Sequence, residues 1–242
     1  MYVREIYRND TPMDAADAYL GQIPAVAALQ TLRFDSPVTF LVGENGAGKS
    51  TLLEAVAVAY GFNPEGGTRN FHFASNNTHS GLYRYITLVK EPLRARDGYF
   101  LRAESFYNAA SYIDELDREK PLLGSYGGKS LHAQSHGESF LALVMNRFGG
   151  HGFYILDEPE AALSPTRQLS LLCRIHDLAE EGSQFLIATH SPILMAYPGA
   201  ALYLLDENGI AKTAYKETEH YQITRRFLEN PQCMLQTLFA KE

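Results

Sequence analysis

A glycine-rich stretch in the first quarter of the chain has the residue types that bind phosphate groups. It consists of Gly43, Glu44, Asn45, Gly46, Ala47, Gly48, Lys49 and Ser50. Glycines at these spacings let successive backbone N–H groups turn inward around phosphate oxygens, and a following helix aims its positive N-terminus at the same place. We expect Lys49 to reach the β- and γ-phosphates of ATP, Ser50 to ligate Mg²⁺, and Thr51 to lie near the α-phosphate.

A pair of carboxylates at the end of an apolar run is the second chemical feature. Phe153 to Leu156 is predicted to be a buried strand, and Asp157 and Glu158 follow it directly. In a parallel sheet, such a pair lies at the carboxyl edge, beside the phosphate-binding loop. We expect Asp157 to hold Mg²⁺ and Glu158 to orient and deprotonate an attacking water.

A histidine follows another apolar strand, which is predicted over Phe185 to Ala188. His190 then lies at the same sheet edge, where it is expected to hydrogen-bond the γ-phosphate and sense its presence. Together with Lys49 and Glu158, it completes the predicted catalytic set. A structural histidine is the alternative.

Strands and helices alternate around these groups. We predict strands over Val38–Val42, Phe153–Leu156 and Phe185–Ala188, and helices over Lys49–Tyr60, Ser105–Arg118, His136–Phe148 and Thr166–Glu180. The alternation implies crossover connections and a mostly parallel sheet, that is, an α/β fold of the P-loop NTPase type. An edge hairpin is predicted through Asn208-Gly209, between Ala201–Leu205 and Ile210–Ala214. Leu82–Val89 and Tyr99–Arg102 are predicted to be two strands joined by a polar turn.

Composition limits the possible partners. The 242 residues are 45% hydrophobic and 20% charged, which is typical of a soluble globular protein, and no apolar run has membrane-spanning length. We expect a cytoplasmic location. The net charge of −7 argues against a surface that binds nucleic acid everywhere. A local basic stretch contains Arg84, Lys90, Arg94, Arg96 and Arg102, although a solvated, partly acid-balanced surface is the alternative.

The motif set, which runs from Val38 to Pro192, resembles that of the ATP-binding-cassette ATPases. Ser135-His136-Gly137-Glu138-Ser139 is similar to the signature motif of this family, and Ala161–Ser164 resembles the segment through which paired subunits touch. The resemblance implies that Ser135 and Gly137 contact the γ-phosphate bound to the opposite subunit. It also implies an ATP-dependent head-to-tail homodimer, with one ATPase domain over residues 1–242 that includes a helical signature lobe over residues 103–150. A simple helix N-cap at Ser135 is the alternative.

The chain departs from the transporter-type members of the family at one position. These members carry a glutamine after the strand that leads into the helical lobe, whereas no glutamine lies between Gln30 and Gln134. Glu104 is the nearest equivalent by position, and we expect it or a neighbour to contact Mg²⁺; a solvated glutamate at a helix start is the alternative. Tyr19 or Phe34 is the candidate for stacking on adenine.

The signature and the missing glutamine resemble the soluble branch that includes SMC-like and RecF-like ATPases. The chain also resembles small stand-alone predicted bacterial ATPases of this branch, in Arg69–Phe71, in Phe100–Glu104 and in Ser135–Ser139. The first hypothesis is an enzyme of DNA maintenance or defence, with DNA or a nuclease as partner. The second is a transport ATPase that acts through a separate membrane permease, which the missing glutamine disfavours. The third is a slow ATP-switched regulatory module.

Overall fold

The computed structural model describes residues 1–69, 80–103, 106–119, 123–126 and 128–240, and within them nine strands form two sheets. The strands are β1 (Val3–Arg8), β2 (Thr31–Arg33), β3 (Val38–Val42), β4 (Ile86–Lys90), β5 (Asp97–Arg102), β6 (Gly152–Asp157), β7 (Gln184–Ala188), β8 (Ala201–Asp206) and β9 (Gly209–Thr213). The α-helices are α1 (Pro24–Ala28), α2 (Lys49–Tyr60), α3 (Phe106–Glu119), α4 (His136–Arg147), α5 (Pro165–Glu180), α6 (Pro192–Met195), α7 (Glu219–Glu229) and α8 (Pro231–Phe239). Short 3₁₀ helices lie over Ala15–Gln22, Gly81–Tyr85, Leu123–Tyr126, Leu131–Ala133, Pro159–Ala162 and Tyr215–Glu217.

The larger sheet has six strands in the order β5-β6-β7-β3-β8-β9. Its neighbours pair in parallel except β8 and β9, which form an antiparallel hairpin at one edge. The smaller sheet, β2-β1-β4, is antiparallel throughout. The predicted α/β fold, with a mostly parallel sheet and an antiparallel edge, is therefore confirmed.

Alternate residues of the central strands belong to two different cores. On β6, Phe153 and Ile155 pack with α2 and the smaller sheet, whereas Tyr154 and Leu156 pack with α3, α4 and α5. All four side chains are fully or almost fully buried. A strand that is covered on both faces needs a continuous apolar run, and this is the pattern that the sequence shows.

Helix α2 occupies the residues predicted for it, Lys49–Tyr60. A left-handed glycine flanks each end: Gly48 has a φ of 102° and Gly61 has a φ of 108°. The Gly61 N–H donates to the Ala57 carbonyl, which closes the last turn. The helix is thus positioned so that its N-terminus follows the glycine-rich loop directly.

A buried glutamine joins the two sheets. The side-chain oxygen Oε1 of Gln184 accepts hydrogen bonds from the backbone N–H groups of Tyr2 (2.6 Å) and Val3 (3.0 Å). Its side-chain nitrogen Nε2 donates to the Val3 backbone carbonyl at 2.7 Å. Gln184 is the first residue of β7, and Val3 is the first residue of β1. One side chain therefore satisfies three backbone groups across the junction.

The strand predicted over Tyr99–Arg102 is confirmed as part of β5, but only the second half of the strand predicted over Leu82–Val89 is found. Its first half is the 3₁₀ helix Gly81–Tyr85, because the Ser80 hydroxyl accepts from the Leu82 N–H and caps it. The remaining strand, β4, pairs with β1 in the smaller sheet, whereas β5 pairs with β6 in the larger one. Apolar periodicity alone does not distinguish a short capped helix from a strand.

Helices α3 and α4 lie within the segment predicted as a helical lobe. Phe106 and Ile113 of α3 and Phe140 and Leu143 of α4 are buried in the same core as the β5 residue Tyr99. The lobe boundaries at residues 103 and 150 stay a prediction. Among the helices that the structure describes, none combines the length and the apolar character needed to cross a bilayer.

Gln184→Leu is expected to lower the free energy of unfolding by about 3 kcal/mol, because buried backbone groups left without a partner each cost about 1–3 kcal/mol. Urea denaturation followed by far-UV circular dichroism measures this change. Gln232→Leu on α8, where the side chain is exposed, is the matched control and should change stability by less than about 0.5 kcal/mol. Equal stability of the two variants would show that the Gln184 contacts contribute nothing.

Candidate functional site

Three glycines give the phosphate-binding loop its shape. Gly43, Gly46 and Gly48 have φ values of 142°, 83° and 102°, which residues other than glycine rarely adopt. A Cβ atom on Gly43 would lie 2.0 Å from the Leu205 carbonyl oxygen, and one on Gly48 would lie 2.5 Å from the Ile23 side chain. The loop is therefore held tightly between β8 and the residues that lead into α1.

The Lys49 ammonium is held inside this loop. Its side chain is buried, and Nζ donates to the backbone carbonyls of Gly43 (2.9 Å) and Glu44 (3.0 Å). Burial lowers the pKa of Lys49, while the nearby carboxylates of Glu158 and Asp157 act in the opposite direction. These two carbonyls bind two of the three N–H donors of the ammonium and so fix its position. An anion that enters the loop therefore meets a positive charge that is already oriented.

Asp157 stands at the centre of a chain of polar contacts. Its Oδ1 accepts from the Ser50 hydroxyl at 2.9 Å, and its Oδ2 lies 3.6 Å from Nε of Arg102. Nη1 of Arg102 lies 2.6 Å from Oε2 of Glu54 on α2. Arg102 and Asp157 are direct neighbours in the parallel register of β5 and β6. The order is thus Ser50, Asp157, Arg102, Glu54.

The Ser50 and Asp157 oxygens fit Mg²⁺ by their chemistry. A hydroxyl and a carboxylate in contact at the N-terminus of α2 are hard oxygen donors, and Mg²⁺ is commonly held by one or two such groups together with substrate phosphates. Within the described ranges, no group of three or more histidine, cysteine, aspartate or glutamate side chains could form a metal cage. Glu104, the third predicted metal ligand, lies outside the described residues.

Glu158 has an unusual backbone. Its φ is +50° and its ψ is 53°, the left-handed region, which is uncommon for residues other than glycine. The Glu158 N–H donates to the Ala188 carbonyl at 3.0 Å, so the strand pairing continues one residue past β6. The side chain is 41% exposed, and one carboxylate oxygen lies 3.6 Å from Nε2 of His190. Glu158 therefore faces both solvent and the predicted phosphate-sensing histidine.

His190 is fixed from two directions. Its backbone N–H donates to the Glu160 carboxylate, and its ring Nδ1 lies 3.0 Å from Nε2 of His220 at the start of α7. Burial lowers the pKa of His190, and the Lys49 charge adds to this effect. Burial also raises the pKa of Glu160. His190 is thus disposed to be neutral at pH 7.

The predicted signature residues lie at the N-terminus of α4. Ser135 is exposed, and its N–H and hydroxyl both donate to the Glu138 carboxylate, at 3.1 and 2.6 Å. A Cβ atom on Gly137 would lie 2.4 Å from the Ala162 carbonyl oxygen, so the signature packs against the predicted subunit-contact segment. In the described parts of the chain, neither residue hydrogen-bonds to the phosphate-binding loop.

Two further sequence candidates are placed differently from expectation. The basic stretch is divided: Arg84 pairs with Asp14 at 3.2 Å and Asp17 at 2.6 Å, and Arg102 points into the site. The stretch therefore does not form one free basic surface. Of the two candidates for adenine stacking, Phe34 is buried in the core, whereas Tyr19 is half-exposed.

Three residues of the site are not predicted from the sequence. Arg102 was assigned to a basic surface, although its position at the end of a strand that pairs with β6 is a usable signal. Glu160 lies two residues after Glu158 and was overlooked. His220 had no local signal, because it reaches His190 from a helix 30 residues further along the chain.

Comparison with protein families and known sequences gives consistent matches. An "AAA domain" model matches residues 23–120, and a model described as "AAA domain, putative AbiEii toxin, Type IV TA system" matches residues 131–196. The chain is 45% identical over 205 residues to the ribose import ATP-binding protein RbsA of Roseobacter denitrificans, which covers 75% of this chain and 39% of that protein. It is 26% identical over 190 residues to an uncharacterized ABC transporter ATP-binding protein of Haemophilus influenzae, with 72% and 71% covered.

A shorter match links the chain to a DNA repair protein. It is 38% identical over 71 residues to RAD50 of Drosophila melanogaster, which is 29% of this chain and 5% of RAD50. The chain thus spans only a small part of RAD50 and well under half of RbsA.

Solved structures support the fold. A "putative metal-chelate type ABC transporter" matches with a TM-score of 0.52 at 16% identity, over 92% of this chain and 88% of that one. The cbiO1 protein of Clostridium perfringens, part of the ABC transporter complex cbiONQ, has a TM-score of 0.50 at 16% identity, with 98% and 100% covered. At this identity, the likeness concerns the fold alone.

Arg102→Met is expected to lower the free energy of unfolding by about 3 kcal/mol, because removing one partner of a buried ion pair leaves an uncompensated charge. Here it would leave two carboxylates, Glu54 and Asp157, without their shared guanidinium. Arg225→Met is the matched control, since Arg225 pairs with Glu229 on the exposed surface of α7 and should contribute about 1 kcal/mol or less. Chemical denaturation of both variants measures the difference, and a control as destabilised as Arg102→Met would contradict the assignment.

Proposed function

From the membership of this chain in the AAA/ABC-type P-loop ATPases, we propose that it binds and hydrolyses MgATP between two copies of itself. One observation carries the proposal. The Ser50 hydroxyl and the Asp157 carboxylate are in contact at the end of the phosphate-binding loop, and Glu158 and His190 lie 3.6 Å apart at the same sheet edge. These are the groups that phosphoryl transfer to water requires.

The loop residues bind the nucleotide in this proposal. Backbone N–H groups from Gly43 to Gly48 cradle the phosphates, and the N-terminus of α2 adds its positive dipole. Lys49 holds the β- and γ-phosphates, and Thr51 lies near the α-phosphate. Because the Lys49 ammonium is already held by two carbonyls, little ordering is needed when ATP binds.

Ser50 and Asp157 would hold Mg²⁺. When bound, the ion neutralises charge on the β- and γ-phosphate oxygens. Arg102 keeps the Asp157 carboxylate oriented from the side away from Ser50. Glu104 stays a prediction as a further contact to the ion.

Glu158 and His190 have separate roles. Glu158 orients the attacking water and accepts its proton, which its partly exposed carboxylate can do. His190 donates a hydrogen bond to the γ-phosphate, which gives it the position of a sensor. The lowered pKa of His190 supports a neutral imidazole in this role.

A second subunit would complete each site. Ser135 is exposed at the N-terminus of α4, so its hydroxyl is accessible to a nucleotide bound by a partner. Gly137 is buried and packs on Ala162 of the predicted subunit-contact segment, so the two motifs lie next to each other. ATP binding then closes a head-to-tail dimer, and hydrolysis reopens it.

The process that this cycle drives is proposed to be DNA maintenance or defence in the cytoplasm. The match to the DNA repair protein RAD50 and the matched family model with the AbiEii description support this assignment. A nuclease is the partner class that we favour. The second candidate is the nucleotide-binding subunit of a membrane transporter, which the matches to RbsA and to the Haemophilus influenzae protein favour. A slow regulatory module remains the third.

Glu158→Gln is expected to bind ATP but to lower kcat by about 10²–10⁴-fold, because it removes the general base. A closed dimer should accumulate with ATP, measured by size-exclusion chromatography with light scattering. Lys49→Ala is the matched control: it should lose ATP binding and therefore remain monomeric. If Glu158→Gln hydrolyses ATP at the wild-type rate, the base is misassigned.

Double-stranded DNA is expected to stimulate steady-state ATP hydrolysis several-fold at low salt and to lose this effect at high salt, because phosphate contacts are salt-dependent. Lys49→Ala serves as the blank. Charge reversal at Lys90, Arg94 and Arg96 should reduce the stimulation, since Arg84 and Arg102 are engaged in internal ion pairs. Hydrolysis that is indifferent to DNA would contradict the first candidate and favour the transporter subunit.

A further inference from the structure

The contact between His190 and His220 assigns a role to the C-terminal helix α7. We propose that His220 is a positioning residue that holds the His190 ring with its proton on Nε2, facing Glu158 and the predicted γ-phosphate position. The observation is the 3.0 Å distance between Nδ1 of His190 and Nε2 of His220. The functional part of this inference rests on the proposed ATPase function, because His190 acts there as the donor to phosphate.

Two neutral imidazoles in this contact share one hydrogen, so one nitrogen donates and the other accepts. In the first arrangement, His220 donates through Nε2–H and His190 accepts at Nδ1, which leaves the proton of His190 on Nε2. In the second arrangement, His190 donates through Nδ1–H, and its Nε2 carries a lone pair. The hydrogen bond made by one ring nitrogen thus sets the state of the other.

Glu158 decides between the two arrangements. Its carboxylate oxygen lies 3.6 Å from Nε2 of His190, and this nitrogen is buried without a hydrogen-bond partner among the described residues. A lone pair there would face a negative oxygen, whereas an N–H would face it favourably. The first arrangement is therefore the stable one, and it leaves an N–H aimed at the place where phosphate charge is expected.

The surroundings favour the neutral form of both rings. Burial lowers the pKa of each histidine, and the neighbouring ring and Lys49 add to the effect on His220. The carboxylates that face the pair, Glu158, Glu44 and Glu219, act in the opposite direction.

The placement of His220 is built into the fold. It lies in the first turn of α7, which begins after Thr218, a buried residue whose hydroxyl accepts from the Tyr221 N–H and donates to the Tyr215 carbonyl. His220 also lines a cavity of about 590 Å³ together with the phosphate-binding loop, from Gly43 to Ala47. Helix α7 thus reaches the loop side of the site through this ring, and Glu219 of the same helix lines the same cavity.

Nuclear magnetic resonance of ¹⁵N-histidine-labelled protein tests the assignment without nucleotide. We expect the shared proton to be bonded to Nε2 of His220, with a scalar coupling across the N–H···N bond to Nδ1 of His190. In His220→Gln, the side-chain amide can still donate, so Nδ1 of His190 should remain a hydrogen-bond acceptor. In His220→Phe, the donor is removed, so the coupling should disappear and the Nδ1 resonance of His190 should shift. A proton on Nδ1 of His190 in the wild-type protein would overturn the inference.

Kinetics test the functional part. A donor aimed at developing charge is worth about 10²–10³ in kcat, and because His220 acts through another residue we expect a smaller, roughly tenfold loss in His220→Phe. The KM for ATP should change by less than about threefold, since ground-state binding is retained. His220→Gln should stay within about threefold of wild type. His176→Phe is the matched control, because the His176 side chain is exposed on α5 and its ring contacts the Tyr197 hydroxyl, and it should leave kcat unchanged.

A double-mutant cycle separates positioning from a purely structural effect. In a His190→Ala background, His220→Phe should change kcat by less than about twofold, because the residue it positions is absent. A further tenfold loss in that background would overturn the role of His220. Absence of hydrolysis by the wild-type protein would overturn the ATPase proposal instead, and the resonance measurement would still decide the His190–His220 assignment.

Discussion

The parallel pairing of β6, β7 and β3 is the constraint on which the site depends, because it fixes where each strand delivers its last residue. The pairing continues past the strand ends: the Glu158 N–H donates to the Ala188 carbonyl at 3.0 Å, and the Thr189 N–H donates to the Leu41 carbonyl at 3.2 Å. Neighbouring strands lie about 4.8 Å apart. The register of these strands alone therefore brings the acidic pair, the histidine and the glycine-rich loop together at one edge of the sheet.

The charged groups at this edge are mutually dependent. Lys49, Asp157 and Glu54 are each less than 10% exposed, and an isolated buried charge costs several kcal/mol. Each has a compensating partner: carbonyls for Lys49, Ser50 for Asp157, and Arg102 for both carboxylates. These groups thus form a network in which each buried charge depends on its partner. Replacing one member removes the compensation for the next, including for members that do not contact the nucleotide.

The sequence predicted the elements whose signal is local and missed those whose signal is not. Apolar runs predict helix α2 and the strands β3, β6 and β7. Each run is followed closely by glycine, a carboxylate or histidine, which marks its end. The strand prediction at Leu82–Val89 was wrong in its first half, where a serine cap favours a short helix, and right in its second half. His220 and Gln184 act across 30 and 182 residues of chain, respectively, and no pattern of spacing reports such contacts. The role of Glu104 stays a prediction.

The left-handed backbone of Glu158 sets its proposed catalytic role against folding stability at one position. A residue other than glycine, asparagine or aspartate in this conformation costs about 1–2 kcal/mol. Glycine or asparagine would adopt this backbone at less cost, but neither has a carboxylate that could take a proton from water, and the carboxylate of aspartate is one methylene closer to the backbone. Substitution by glycine or asparagine would therefore yield better-folded proteins that lack the proposed general base, so folding stability alone does not explain the glutamate found there.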